Sequence, residues 1–286
     1  MRVLFCGLVM WWGAACCMAA EEPVIDFQVG VEYAHPGEVS LQMNMAIPKS
    51  SGLGRPAVLC IHGGGFRAGK REGYDGLCKQ LAARGYVAVT ASYRLAPTHP
   101  FPAAIHDVKA AVRFLRANAR KFEIDPDRIG VVGGSAGGHL VQFLGVTEGV
   151  PQFEGDQNLG HSAQVNCVVN YYGPSDFIHS YGKSVDAHEV LPLWFGGDLS
   201  THRKLHQMGS PLNWATPNAA PTLIIHGTED KYVAFEQAEW MVDRLNQVGV
   251  EVELLKLDGA GHGFKGEDAA KAEAAMFGFF DKHLKP

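Results

Sequence analysis

The residues best suited to do chemistry are Gly133-Gly134-Ser135-Ala136-Gly137. A serine with small residues two before and two after it fits a tight strand-to-helix turn, where strand and helix pass close together. Such a turn lifts the Ser135 hydroxyl clear of the backbone. It also leaves the Ala136 amide at a helix start, aimed at any oxyanion that forms. A second stretch, His62-Gly63-Gly64-Gly65-Phe66, follows an apolar run. Its glycines let backbone amides approach a substrate with no side chain in the way. The amides of Gly64 and Gly65 would join that of Ala136 as an oxyanion hole, each donor supplying roughly 3 kcal/mol of transition-state stabilisation. No Gly-Lys-Ser/Thr follows, which excludes a P-loop.

A serine nucleophile needs a base, and the base needs a carboxylate to orient it. After a G-x-S-x-G turn the expected chain order is serine, acid, histidine. Asp230, in His226-Gly227-Thr228-Glu229-Asp230, is the preferred acid. Glu229 is the alternative, because spacing does not separate adjacent carboxylates. His262, in the glycine-rich stretch Asp258-Gly259-Ala260-Gly261-His262-Gly263-Phe264, is the expected base. Among the other histidines, His62 reads as a brace for the glycine loop, His226 as buried and hydrogen-bonded, and His139 as packing. His99, His106, His161, His179, His188, His202, His206 and His283 read as surface or loop residues. No pair forms a metal motif such as His-Glu-x-x-His. The chemistry expected here needs neither metal nor cofactor.

These residues need elements to position them, and the pattern supplies them. Ala57-Val58-Leu59-Cys60-Ile61, Tyr86-Val87-Ala88-Val89-Thr90-Ala91 and Ile129-Gly130-Val131-Val132 are apolar runs that read as buried strands. So do 165–171, 222–225 and 250–257. Alternation over 24–33 and 39–47, joined by His35-Pro36-Gly37, predicts an antiparallel hairpin. Helical spacing covers 74–84, 103–122, 235–248 and 268–284. Strands alternating with helices give an α/β fold with a mostly parallel sheet, covered on both faces and led in by the hairpin. Segments 147–164 and 176–217 read as loops over the site, the second carrying Phe177, Tyr181, Trp194, Phe195 and Trp214.

With 286 residues, 47% hydrophobic and 19% charged, the chain can bury a large core without disulfides. A net charge of −5 gives no electrostatic reason to expect nucleic acid. Arg2 precedes an uncharged run over 3–20, and Cys17-Met18-Ala19 approximates a small-x-small cleavage site before Glu21-Glu22-Pro23. Residues 1–20 therefore read as a secretory signal peptide, leaving 21–286 as one exported domain, periplasmic or secreted. The residues before Cys16 lack the leucine-like position that lipid attachment expects, so no stable membrane association is expected after cleavage. Cys60, Cys78 and Cys167 remain beyond the leader, with the spacing of neither a disulfide framework nor a zinc site. They read as small buried apolar residues.

Taken together, the chain resembles the α/β-hydrolase superfamily and, within it, the hormone-sensitive-lipase-like esterases. The resemblance rests on His62-Gly63-Gly64-Gly65, Ser92-Tyr93-Arg94-Leu95-Ala96-Pro97, Pro100-Phe101-Pro102-Ala103-Ala104, Gly133 to Gly137, His226-Gly227-Thr228-Glu229-Asp230 and Gly261-His262-Gly263. It implies an α/β-hydrolase fold and a serine esterase acting through Ser135, Asp230 and His262. The chain lacks the long N-terminal helical cap of the larger lipase-like members. It is more similar to small exported feruloyl and acetyl-xylan esterases, which would imply acyl esters on plant polysaccharide as substrates. A general short-chain carboxylesterase and an arylformamidase-like amidase share the same pattern.

Overall fold

The computed structural model describes residues 24–49 and 54–285. The signal peptide expected over 1–20 lies outside the described residues. Among the described residues, eight strands form one sheet: β1 (Ile25–Ala34), β2 (Leu41–Pro48), β3 (Arg55–Ile61), β4 (Val87–Ala91), β5 (Ile124–Gly134), β6 (Cys167–Tyr171), β7 (Thr222–Gly227) and β8 (Val252–Leu257). Their order across the sheet is β1-β2-β4-β3-β5-β6-β7-β8. β2 is antiparallel to both β1 and β4, and β3 to β8 pair in parallel. This is the α/β-hydrolase architecture.

The helices that cover the sheet are α1 (Asp75–Ala83), α2 (Ala103–Ala117), α3 (Ala136–Val146) and, beyond the short helices α4 to α6 described below, α7 (Glu236–Gln247) and α8 (Gly266–Leu284). α1 and α8 pack on one face, while α2, α3 and α7 pack on the other. Along β3, Ala57, Leu59 and Ile61 point into one core, and Val58 and Cys60 point into the other. A strand buried on both faces cannot alternate polar and apolar residues, which is why it reads as a continuous apolar run. Cys60, Cys78 and Cys167 are buried free thiols.

Three expectations change. The helix expected over 103–122 ends at Ala117, where Asn118 caps it: its side chain and its own amide both donate to the Phe114 carbonyl. The segment 176–217 is not irregular. It holds α4 (Asp186–Glu189), α5 (Leu191–Phe195) and α6 (Leu199–Met208), elements of 4, 5 and 10 residues that are too short to show a period. His206 is buried, not superficial. Its ring nitrogens meet the Tyr181 hydroxyl at 3.0 Å and the His202 carbonyl at 3.0 Å, so burial leaves neither unpaired.

The aromatics of this segment pack more than they line. Phe177 and Trp194 are fully buried, and Trp194 stacks on Phe66 with centroids 3.8 Å apart. Phe66 lies just past the glycine loop, so this stack props the loop from beneath.

Candidate active site

Ser135 occupies the single step between β5 and α3, with φ +57° and ψ −122°. A non-glycine residue there stores roughly 1–3 kcal/mol of strain. The strain is held by bonds on both sides: the Ser135 amide donates to the Tyr171 carbonyl (2.9 Å), and its carbonyl accepts from the His139 amide (3.0 Å). The flanking glycines follow from crowding. A Cβ on Gly137 would lie 2.1 Å from the Ile61 carbonyl oxygen, and one on Gly133 would lie 2.4 Å from that of Gly137.

The Ser135 hydroxyl lies 3.0 Å from Nε2 of His262, and Nδ1 of His262 lies 2.7 Å from Oδ2 of Asp230. The other Asp230 oxygen, Oδ1, accepts the amides of Tyr232 (2.9 Å) and Val233 (3.0 Å). Burial pushes the Asp230 carboxyl up, but hydrogen bonds from His226 and His262 outweigh it and hold it at about 2. An ionised acid at Nδ1 keeps the proton on that nitrogen and leaves Nε2 free to accept from Ser135. Glu229, the alternative acid, is exposed on the same turn and makes no bond to His262; its amide donates to Ala260. His226 is buried, with Nε2 3.0 Å from the Val233 carbonyl and 3.4 Å from Asp230. It supports the acid from behind.

The glycine loop lies across the cleft. Gly64 and Gly65 adopt φ +115° and +59°, and a Cβ on Gly64 would sit 2.2 Å from the Ala68 carbonyl oxygen. Among the described residues their amides donate to no backbone carbonyl. The Ala136 amide, first in α3, has no intrahelical acceptor. His62 braces the loop as expected. Its Nδ1 donates to the Gly63 carbonyl (2.8 Å), and its ring stacks on Tyr93 at 4.3 Å. Burial lowers its basicity and keeps the imidazole neutral.

The cleft has a volume of about 460 Å³ and walls that include Gly64, Gly65, Arg67, Tyr74, Tyr172 and Tyr232. The four side chains were missed from sequence. His262 lies between Tyr172 and Tyr232, with ring centroids at 4.7 and 5.1 Å. Tyr172 could have been found, because it directly follows β6, at the sheet edge where ligands bind. The loops expected over the site contribute less. Segment 147–164 is drawn to α2 instead, where Glu154 pairs with the buried Lys109 and Arg113. From 176–217, the end of α4 borders the site: Val190 stands against Gly65, and the Glu189 carbonyl accepts from Arg67 (3.3 Å).

The BD-FAE family model matches residues 43–245. Esterase LipC of Mycobacterium tuberculosis is 37% identical over 223 residues, which is 76% of this chain and 55% of that protein. Ethyl acetate hydrolase of Pseudomonas putida is 32% identical over 74% of this chain and 67% of its own length. The chain thus spans about half the length of the first relatives it matches. Among solved structures, a truncated carbohydrate esterase from gut microbiota superposes with a TM-score of 0.82 at 27% identity, covering 93% of this chain and 99% of its own. Thermogutta terrifontis esterase 2, phosphoramylated by tabun, has a TM-score of 0.76 at 26% identity, covering 93% and 98%.

Proposed function

Given that the chain belongs to the BD-FAE family, with the hormone-sensitive-lipase-like α/β-hydrolase esterases as its relatives, we propose that it is a serine carboxylesterase that removes acyl groups from carbohydrate. The observation that carries this reading is the hydrogen-bonded line Asp230–His262–Ser135, at 2.7 and 3.0 Å, facing the free amides of the glycine loop. Acetyl or feruloyl esters of plant polysaccharide are the substrates the sequence favours, and the likeness to a carbohydrate esterase supports the carbohydrate part. The leader supports export to the periplasm or beyond.

On this reading Ser135, His262 and Asp230 divide the reaction among them. His262 takes the proton from Ser135 as the hydroxyl oxygen attacks the ester carbonyl. The amides of Gly64, Gly65 and Ala136 receive the negative charge that develops on the carbonyl oxygen. Asp230 fixes the His262 tautomer and balances the imidazolium. His262 then hands the proton to the departing alcohol, leaving an acyl-enzyme on Ser135. Water, deprotonated by the same imidazole, releases the acid and restores the serine.

A second reading has its own support. The relative named ethyl acetate hydrolase takes a small ester, which favours a general short-chain carboxylesterase with the same triad. Acetate and ferulate release from acetylated xylan and feruloylated arabinoxylan, beside 4-nitrophenyl acetate and with Ser135→Ala as control, separates the two. Serine-dependent release from polysaccharide supports the carbohydrate reading. Cleavage of the small ester alone contradicts it and leaves the general esterase.

A further inference from the structure

A pocket behind the cleft wall takes no part in the reaction above. It has a volume of about 230 Å³ and lies between α1 and α8, on the face of the sheet away from α3. Leu77 of α1, Val132 of β5 and Met276 of α8 give it apolar sides. Gln80, exposed, and Glu273, half-buried, stand at its rim. Tyr74 and Tyr172 line it too, and both also line the catalytic cleft. The two spaces therefore share a wall made of these phenols.

That wall ends beside the nucleophile. A Cβ on Gly134 would lie 3.0 Å from the Tyr74 hydroxyl oxygen and 3.3 Å from that of Tyr172. Gly134 does not have a left-handed φ, so its backbone conformation does not demand glycine. What a side chain there would fill is the junction of the two spaces, one residue before Ser135. Tyr172 is the side of this wall that is free to turn, because among the described residues its hydroxyl makes no hydrogen bond. Its backbone is held at φ +41°, with its amide donating to the Ile225 carbonyl (2.9 Å). Strained positions of this kind cluster where ligands are gripped.

Size and polarity say what fits. An apolar cavity of about 150 Å³ takes up benzene. At about 230 Å³ this pocket holds an aromatic ring with a few further atoms, whereas an acetyl group leaves most of it unfilled. Its apolar sides suit the ring. Its rim suits a hydroxyl at the far end of the group, since the Glu273 carboxylate accepts from a phenol and the Gln80 amide both donates and accepts.

We propose that the pocket between α1 and α8 is the acyl subsite, and that it takes a hydroxyaryl acyl group, of which feruloyl is one. The group passes Gly134 between Tyr74 and Tyr172 while its carbonyl stands at Ser135, and its hydroxyl ends at Glu273 and Gln80. The proposal rests on the serine esterase reading and deepens it by choosing among acyl groups. Leu77 and Glu273 are then specificity-determining residues, one for the size of the acyl group and one for its far hydroxyl.

The test compares kcat/KM on methyl ferulate, methyl cinnamate and methyl acetate, which share one alcohol and differ only in the acyl part. Wild type should prefer ferulate to cinnamate by about tenfold or more, the effect of one hydrogen bond to a charged group. Leu77→Trp fills the pocket from α1 and should lower kcat/KM on ferulate and cinnamate by about tenfold or more, with acetate within about twofold. Glu273→Leu removes the acceptor and should bring the ratio of ferulate to cinnamate close to one. Thermal melting checks that each variant is folded, and Leu77→Phe replaces the tryptophan variant if that one does not accumulate. Equal losses on all three esters in folded Leu77→Trp, no loss on any, or an unchanged ratio in Glu273→Leu overturns the proposal. So does a wild type that cleaves methyl acetate and neither aryl ester, which leaves the esterase reading standing. Absence of Ser135-dependent turnover of any ester is the separate result that overturns the esterase reading itself.

Discussion

Asp230→Asn exchanges one atom for another of nearly the same size, and the structure fixes what that exchange does. Oδ1 is pinned as an acceptor by the amides of Tyr232 and Val233 at 2.9 and 3.0 Å. An asparagine must keep its oxygen there, since an NH2 group facing two N–H donors would leave all three unpaired. The amide NH2 then points at Nδ1 of His262, where Oδ2 stood at 2.7 Å. The imidazole must accept at Nδ1 and carry its proton on Nε2, so it can no longer take the proton of Ser135. An inverted tautomer of this kind costs roughly ten-thousand-fold in kcat, about 5.5 kcal/mol. A stability effect accompanies it. Held at about 2 against an ordinary 3.8, the Asp230 carboxylate favours the folded state by roughly 2 kcal/mol. Because its folded pKa is depressed, that contribution is present above about pH 4 and is lost as pH falls towards 2. The assay is kcat/KM on 4-nitrophenyl acetate with urea unfolding at neutral pH, using Glu229→Gln as a control expected to stay within about twofold. Activity of Asp230→Asn within about tenfold of wild type, or a larger loss in Glu229→Gln, refutes the assignment of the acid.

Other perturbations have equally defined outcomes. Gly137→Ala places a Cβ 2.1 Å from the Ile61 carbonyl and should lower stability by about 3 kcal/mol or prevent folding, read as the midpoint of urea unfolding. Trp194→Ala removes the ring stacked on Phe66; unfolding should become easier by roughly 3–5 kcal/mol, and kcat should fall because the glycine loop loses its support. The intact mass of protein exported by an expressing cell should correspond to a chain that begins just after Ala19 or Ala20; a mass retaining residues 1–20 would contradict the leader.

Much of this was legible because the relevant signals are local. The runs at 57–61, 86–91 and 129–132 name strands buried on both faces, and the glycines at 133 and 137 name a close crossing that the Ile61 carbonyl confirms. Ser135, His262 and the glycine loop were legible because each follows a strand. The choice between Glu229 and Asp230 was not, because it depends on which side chain of one turn faces inward. The cleft side chains Tyr74 and Tyr232 were also hidden, since a tyrosine has the same sequence signature whether it packs or lines a wall. The short helices α4 to α6 escaped because fewer than three turns show no period, and His206 escaped because its burial is licensed by Tyr181, a residue 25 positions away.

Modification of Ser135 by a fluorophosphonate, followed by intact mass and peptide mapping on wild type and Ser135→Ala, tests the central claim most directly. The account predicts a single adduct on the peptide carrying Gly133 to Gly137 in the wild type, formed more slowly in Asp230→Asn and absent from Ser135→Ala. An adduct on another residue, or one that persists in Ser135→Ala, would contradict it.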